Sequence, residues 1–260
     1  RGMYEDEAQQ TEYLDTIHRS GQHLLHLIND ILDLSKVEAG RLEVENILCS
    51  PHQLILDVVN TLRVRADEKS IRIDCVTPGG IPEIIKTDQA RLRQIITNLV
   101  GNAIKFTSKG GVTVSARFLS GDKPKLQIDV ADTGVGISEE AQKKVFEPFT
   151  QADGSITRKF GGTGLGLTIS KQFAQAMGGS LSVRSEAGVG STFTIVIETG
   201  PIDSDVSLLD IRQFGERFGK ATAESSVAKK FRFDPSRILL VDDGEANRQL
   251  VHLVLQRNGL

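Results

Sequence analysis

Asn98-Leu99-Val100-Gly101-Asn102-Ala103-Ile104-Lys105-Phe106 and, further along, Asp132-Thr133-Gly134-Val135-Gly136-Ile137 are the stretches on which the reading of this 260-residue sequence turns. Asn98 and Asn102 stand four apart, so on a helix both amides project from one face, one turn above the other. Lys105 continues that face and adds a positive charge. Asp132 follows an apolar strand, Leu126 to Val130, and opens onto two glycines, where backbone can approach a flat ring. Amides for a metal, an ammonium for phosphate and a carboxylate for a base edge together predict a nucleotide site.

Outward from these motifs the elements alternate. Arg91 to Phe106 reads as helix. Val112 to Phe118 and Lys125 to Val130 read as paired strands joined through Gly121-Asp122. Upstream, Leu54, Val58 and Leu62 mark an amphipathic helix entered at Pro51, and Ile71 to Val76 alternates as a strand, with Ile84 to Lys86 as another. Downstream, a helix runs from Leu165 to Met177 and stops at Gly178-Gly179, followed by strands at Leu181 to Arg184 and Thr192 to Glu198. Strands outnumber sequential helix crossovers, which predicts a mixed sheet with helices on one face, an α/β sandwich.

The flanks differ in character. No proline interrupts Glu7 to Val44, which reads as one long helix ended by Gly40. Leu14, Ile17, Gly21, Leu24, Ile28, Ile31 and Ser35 follow heptad spacing along it. Leu25, Leu27, Leu32 and Leu34 widen the stripe beyond a two-stranded seam, so self-association in a four-helix arrangement is expected. From Pro201 to Ser236 apolar residues thin out and the stretch reads as a linker, with one short helix expected around Leu208 to Phe218. Ile238 to Val241 then reads as a buried strand with Asp242-Asp243 at its carboxyl end, and Glu245 to Arg257 as a helix.

Composition narrows the classes. A net charge of -3 gives no electrostatic case for nucleic-acid or membrane-surface binding. Cys49 and Cys75 have no metal-ligand spacing and form no disulfide framework, as expected of reduced thiols in a cytosolic protein. No apolar run approaches the roughly 18 residues of a membrane span. Both ends look cut: the sequence opens on Arg1 and breaks off within its last expected helix.

A third cluster, Gly161-Gly162-Thr163-Gly164-Leu165-Gly166-Leu167, is preceded by Arg158-Lys159. Glycines ahead of a helix leave N–H groups to face phosphate oxygens, and the helix N-terminus adds positive potential. The two cations are placed to reach a terminal phosphate. No Gly-Lys-Ser/Thr closes the run, so it is not a P-loop, and no strand leads straight into it as a dinucleotide fingerprint requires.

Order lends these motifs their specificity. Asp88 through Thr107 resembles the N box of sensor histidine kinases, Asp132 to Ile137 their first glycine box, Phe146 to Phe149 their F box, and Gly162 to Leu167 their second glycine box. The resemblance covers about residues 50 to 200 and implies the Bergerat ATP-binding fold shared with gyrase B, Hsp90, MutL and mitochondrial dehydrogenase kinases. It implies that Asn102 ligates a Mg²⁺ bridging the phosphates of ATP, with Asn98 beside it, Lys105 on phosphate and Phe106 near adenine. Asp132 would accept from the adenine amino group. Gly134, Gly136, Ile137 and the segment Gly162, Thr163, Gly164, Leu165 and Gly166 would form the wall and lid of the pocket. Arg158 and Lys159 would reach the γ-phosphate, and Thr192 resembles a threonine near adenine. Gyrase-like ATPases tend to carry a water-activating glutamate at the Asn98 position. An amide cannot be that base, which favours phosphotransfer, with Asn98 and Lys105 as its catalytic pair.

The flanks resemble the same family. Leu27 to Gly40 is similar to the end of the second helix of the dimerisation and phosphotransfer domain. Ile238 to Leu260 is similar to the start of a response-regulator receiver, with Asp242 and Asp243 as an incomplete Mg²⁺ pair. The implied layout is a partial dimerisation domain over 1–47, an ATP-binding domain over 48–200, a linker over 201–236 and a receiver fragment over 237–260. It implies a hybrid kinase, a homodimer through the first helix, a response regulator or receiver as partner, and a cytoplasmic location, including as the cytoplasmic part of a membrane-bound sensor. The family phosphorylates a histidine followed by an acidic residue and, soon after, proline. His18, His23, His26, His52 and His252 all lack that context, so the chain is expected to bind Mg-ATP without phosphorylating itself. The competing reading is a non-catalytic ATP-binding and dimerisation module that regulates a partner.

Overall fold

The computed structural model describes residues 7–150, 164–202, 206–215, 248 and 251. Two compact units divide the chain at residues 213 and 214, and the sheet, its helices and the site all belong to the first. The strand and helix expected over 238–257, with Asp242 and Asp243, fall outside the described residues apart from Arg248 and Val251.

Helix α1 runs Glu7–Glu38 and stops where Gly40 adopts a left-handed φ of 66°. The Arg41 N–H then bonds back to the Lys36 carbonyl at 2.8 Å, closing the last turn. Strand β1 (Ile47–Cys49) follows, then α2 (Pro51–Glu68), which starts on a Ser50 cap with proline in its first turn, where a missing N–H costs nothing. Next come β2 (Arg72–Val76), β3 (Ile81–Pro82) and β4 (Ile85–Thr87). Helix α3 spans Gln89–Phe106, and its Asp88 cap accepts from the Arg91 N–H at 2.9 Å and from the Glu45 N–H at 3.1 Å. One carboxylate therefore caps α3 and ties down the chain entering the domain.

Strands β5 (Gly111–Leu119) and β6 (Lys125–Asp132) form a hairpin. After α4 (Glu139–Lys144) come α5 (Gly166–Ala176), β7 (Ser180–Glu186), β8 (Gly190–Glu198) and β9 (Leu208–Leu209). The main sheet has the order β2-β5-β6-β8-β7, with β2 and β5 parallel and the other neighbours antiparallel. This is the expected mixed sheet. The helix expected around Leu208 to Phe218 is corrected at its start, because Leu208–Leu209 pairs with β3 as a strand.

Alternation along the strands explains the layering. Val112 and Val114, Leu126, Ile128 and Val130, and Phe193, Ile195 and Ile197 all point to one buried face. Leu54 and Val58 of α2, Ile95 and Leu99 of α3 and Phe173 of α5 pack against it, each such burial contributing about 1.5–3 kcal/mol. The opposite face is polar. There Asp129 accepts from Thr194 Oγ1 at 2.7 Å, Gln127 Nε2 at 3.0 Å and the Arg117 guanidinium at 3.2 Å.

Candidate functional site

The site is assembled where α3, the end of β6 and the start of α5 converge. Helical spacing puts Asn98 and Asn102 on one face of α3, and the Asn102 amide nitrogen donates to Asn98 Oδ1 at 3.3 Å. Asn98 in turn donates to Ser170 Oγ at 3.0 Å, which links α3 to α5. A Cβ on Gly166 would lie 2.6 Å from Asn98 Oδ1, so a larger residue there would have to displace the Asn98 amide. A cleft of about 770 Å³ runs along this face, lined among others by Asn98, Asn102, Lys105, Lys69 and Ser170. Burial lowers the pKa of the Lys105 ammonium, and its Nζ sits 4.9 Å from the centre of the Phe106 ring.

Asp132 is outside the cleft lining and joins it through Phe106. The Phe106 carbonyl accepts from the Val135 N–H at 3.4 Å, pinning the glycine turn to the end of α3. Burial raises the Asp132 pKa, against which the Gly134 and Ser191 N–H groups donate to the carboxylate. The Gly134 bond is 2.8 Å. Gly136 crosses Glu186 with φ of 67°, where a Cβ would come within 2.0 Å of the Glu186 carbonyl. Ile137 is held by its own N–H on Ser185 Oγ at 2.8 Å and by Gln142 Nε2 on its carbonyl at 2.8 Å.

Thr192 is not brought to this pocket. Asp132 pairs with Ser191 and Ala131 with Thr192, and period-2 alternation sends Thr192 to the polar face of the sheet. Ser191, buried and 2.9 Å from Ser185 Oγ, takes the position beside Asp132. The signal was in the sequence: Phe193 belongs to the core face, so the residue two before it shares that face. Ser170, Ser185 and Gln142 are further site residues that the motifs did not mark. In the F box, Phe146 meets Phe193 edge-on at 6.5 Å and its carbonyl accepts from Thr168 Oγ1 at 3.0 Å, which seats the start of α5. Leu165 is buried behind that start. Arg158, Lys159, Gly162 and Thr163 lie outside the described residues.

An amide pair and a partly desolvated lysine line the cleft, and a carboxylate flanked by a glycine turn stands next to the end of the same helix. The family comparisons bear on what such an arrangement belongs to. Residues 87–201 match the family described as histidine kinase-, DNA gyrase B-, and HSP90-like ATPase, and residues 2–40 the His Kinase A (phospho-acceptor) domain. The signal transduction histidine-protein kinase BarA of Escherichia coli (strain K12) is 44% identical over 71% of this chain and 20% of its own length. Histidine kinase 2 of Arabidopsis thaliana is 33% identical over 98% of this chain and 25% of its own length. The chain thus spans a quarter or less of these two relatives. The crystal structure of full-length ShkA in complex with AMPPNP superposes with a TM-score of 0.65 at 35% identity, covering 76% of this chain and 41% of that one. The chain belongs to the hybrid sensor histidine kinases, of which it carries the catalytic region with its ATP-binding domain.

Proposed function

We propose that this region transfers the γ-phosphoryl group of Mg-ATP to a histidine, from which it passes to an aspartate in a phosphorelay. The observation that carries the reading is the engagement of Asn98, which accepts from Asn102 and donates to Ser170. An amide committed in this way offers water no general base. It is suited instead to holding a triphosphate in place, which is most of what phosphoryl transfer asks of a protein.

The residues fit the nucleotide and its cation. Because Asn102 donates through its nitrogen, its Oδ1 is turned to the role of a hard oxygen ligand for Mg²⁺. Held there by Asn102, magnesium would supply positive charge to offset that of the triphosphate. Lys105 binds phosphate, and the first-turn N–H groups of α5, which has no side-chain cap, face the same anion. Asp132 accepts from the adenine amino group, Ser191 buttresses it, and Phe106 with the glycine turn forms the wall. From the motif resemblance, Arg158 and Lys159 are assigned to the γ-phosphate, and Gly162 and Thr163 to the wall and lid.

The domain layout proposed is the one read from the motifs: a dimerisation segment over 1–47, the ATP-binding domain over 48–200, a linker over 201–236 whose residues 208–211 pack back on that domain, and a receiver start over 237–260 that carries Asp242 and Asp243. Leu14, Ile17, Leu24, Ile28 and Ile31 are exposed along α1, which supports pairing of two chains through that helix. A response regulator or receiver is the downstream partner. Among the described residues no helix is long and apolar enough to cross a membrane, and the proposed location is cytoplasmic, as a free protein or as part of a membrane-bound sensor.

The test supplies the chain with Mg-ATP and a separate acceptor domain. Acid-labile, base-stable phosphate is expected on the acceptor and none on this polypeptide. Its appearance here would place an acceptor among the five histidines, and failure to bind ATP at millimolar concentration would remove the nucleotide reading altogether.

A further inference from the structure

Helix α3 presents its carboxyl end to the cleft that the phosphates would enter. The last four carbonyls of a helix have no partner within it, and together they carry about half a negative charge. At α3 these belong to residues 103–106, and each is met. The Ala103 carbonyl accepts from the Thr107 N–H at 3.0 Å and from Thr107 Oγ1 at 2.7 Å. The Phe106 carbonyl accepts from Val135 of the glycine turn. The two between them, Ile104 and Lys105, are both held at 2.8 Å by Lys69 Nζ, which also reaches the Thr107 carbonyl at 3.5 Å.

Lys69 comes from a different helix. Its own backbone caps the end of α2, and the next residue, Ser70, takes a left-handed φ of 56° that turns the chain towards β2. The turn anchors the lysine beside the phosphate side of the site, where it lines the cleft with Asn98, Asn102 and Lys105. We propose that Lys69 is a positioning residue for triphosphate binding, cancelling the negative end of α3 and fixing the turn that carries Lys105 and Phe106. Without that charge, two carbonyl dipoles would point at the incoming phosphate oxygens, and the Lys105 ammonium would spend its charge on its own helix end. The inference rests on the nucleotide reading, and it makes the penalty scale with phosphate charge.

Titration calorimetry of the full chain with Mg-ATP, Mg-ADP and adenosine tests it, with Lys69→Gln and Lys69→Arg beside the unsubstituted protein. Gln keeps a donor for the carbonyls and removes the charge; Arg keeps both. Lys69→Gln should weaken ATP by about 5- to 10-fold, ADP by less and adenosine by under about 2-fold, the range of a helix-end charge effect. Lys69→Arg should restore ATP to within about 2-fold. In nucleotide-free protein, amide exchange at Phe106 and Thr107 should quicken in Lys69→Gln. Equal losses for ATP and adenosine, or none, overturn the role of Lys69 while leaving the nucleotide reading intact, as does an unchanged free-protein turn, which would make Lys69 a direct phosphate ligand. No ATP binding by the unsubstituted chain overturns the nucleotide reading first.

Discussion

In the role proposed for it, Asp132 has to remain an acceptor in a place that disfavours its charge. Burial raises its pKa above the ordinary 3.8, and the N–H groups of Gly134 and Ser191 only partly offset this. A raised acid holds its proton better in the folded than in the unfolded chain, so Asp132 subtracts stability as pH rises from 3.8 through its native value. The proposed adenine recognition runs the other way, because the ionised carboxylate is the stronger acceptor and the protonated acid adds a competing donor. ATP affinity should therefore fall as pH drops through that raised value, at a higher pH than an exposed aspartate would give. Asp132→Asn should weaken ATP by about 1–3 kcal/mol in a binding titration at neutral pH, the worth of a hydrogen bond to a charged group. Thr192→Ala, on the far face of the sheet, should leave affinity unchanged and serves as the control. The pair also shows what a motif can and cannot deliver: Asp132 was legible from its strand and its glycines, and alternation from Phe193 already separated Ser191 from Thr192, but only the register with β6 shows that Ser191 stands opposite Asp132.

At the scale of elements, Asp88 is where one substitution should reach furthest. Its carboxylate caps α3 and accepts from Glu45, so Asp88→Ala leaves two N–H groups unmet. A loss of about 1–2 kcal/mol is expected in urea unfolding, with faster amide exchange in the first turn of α3. Helix α1 is joined to the same helix by Arg91, whose guanidinium meets Asp33 at 3.2 Å and lies 4.5 Å from the centre of the Phe173 ring of α5. The long elements were readable because their apolar periods are long: α2, α3 and the strands of the main sheet lie within a few residues of where alternation and caps put them. The two-residue strands were not readable. Leu208–Leu209 is a strand only because Ile81 and Pro82 are there to pair with it, and no local pattern in so short a run records a partner that distant.

Across the whole domain, that late strand is part of a strap laid back over α2. His52, fully buried on α2, meets the Leu209 carbonyl at 2.9 Å, and the Ile211 N–H donates to Thr77 Oγ1 at 2.6 Å. A carbonyl only accepts, so His52 Nε2 carries a proton in this contact. Burial lowers the His52 pKa below 6.5, against the opposing pull of the Leu209 carbonyl, Glu83 and Asp210. A lowered histidine contributes stability that is complete above 6.5 and is lost as pH falls from there to its native value. Amide exchange at Leu209 and Ile211 should accelerate over that window, while that of the central strand β6 should not. His52→Gln, which keeps a donor and cannot titrate, should flatten the response.

The strap closes the same edge at which the chain passes into and out of the sheet. The chain enters through β1, which pairs with β4, and leaves past Thr199, whose carbonyl accepts from the Lys86 N–H at 2.8 Å, before β9 closes on β3. Entry and exit are thus stitched to one seam, residues 81–87. A fold with its two ends gathered at one hem can be lifted out of one polypeptide and sewn between other modules without stretching. That gives this architecture a plain mechanical reason to travel among proteins with different neighbours.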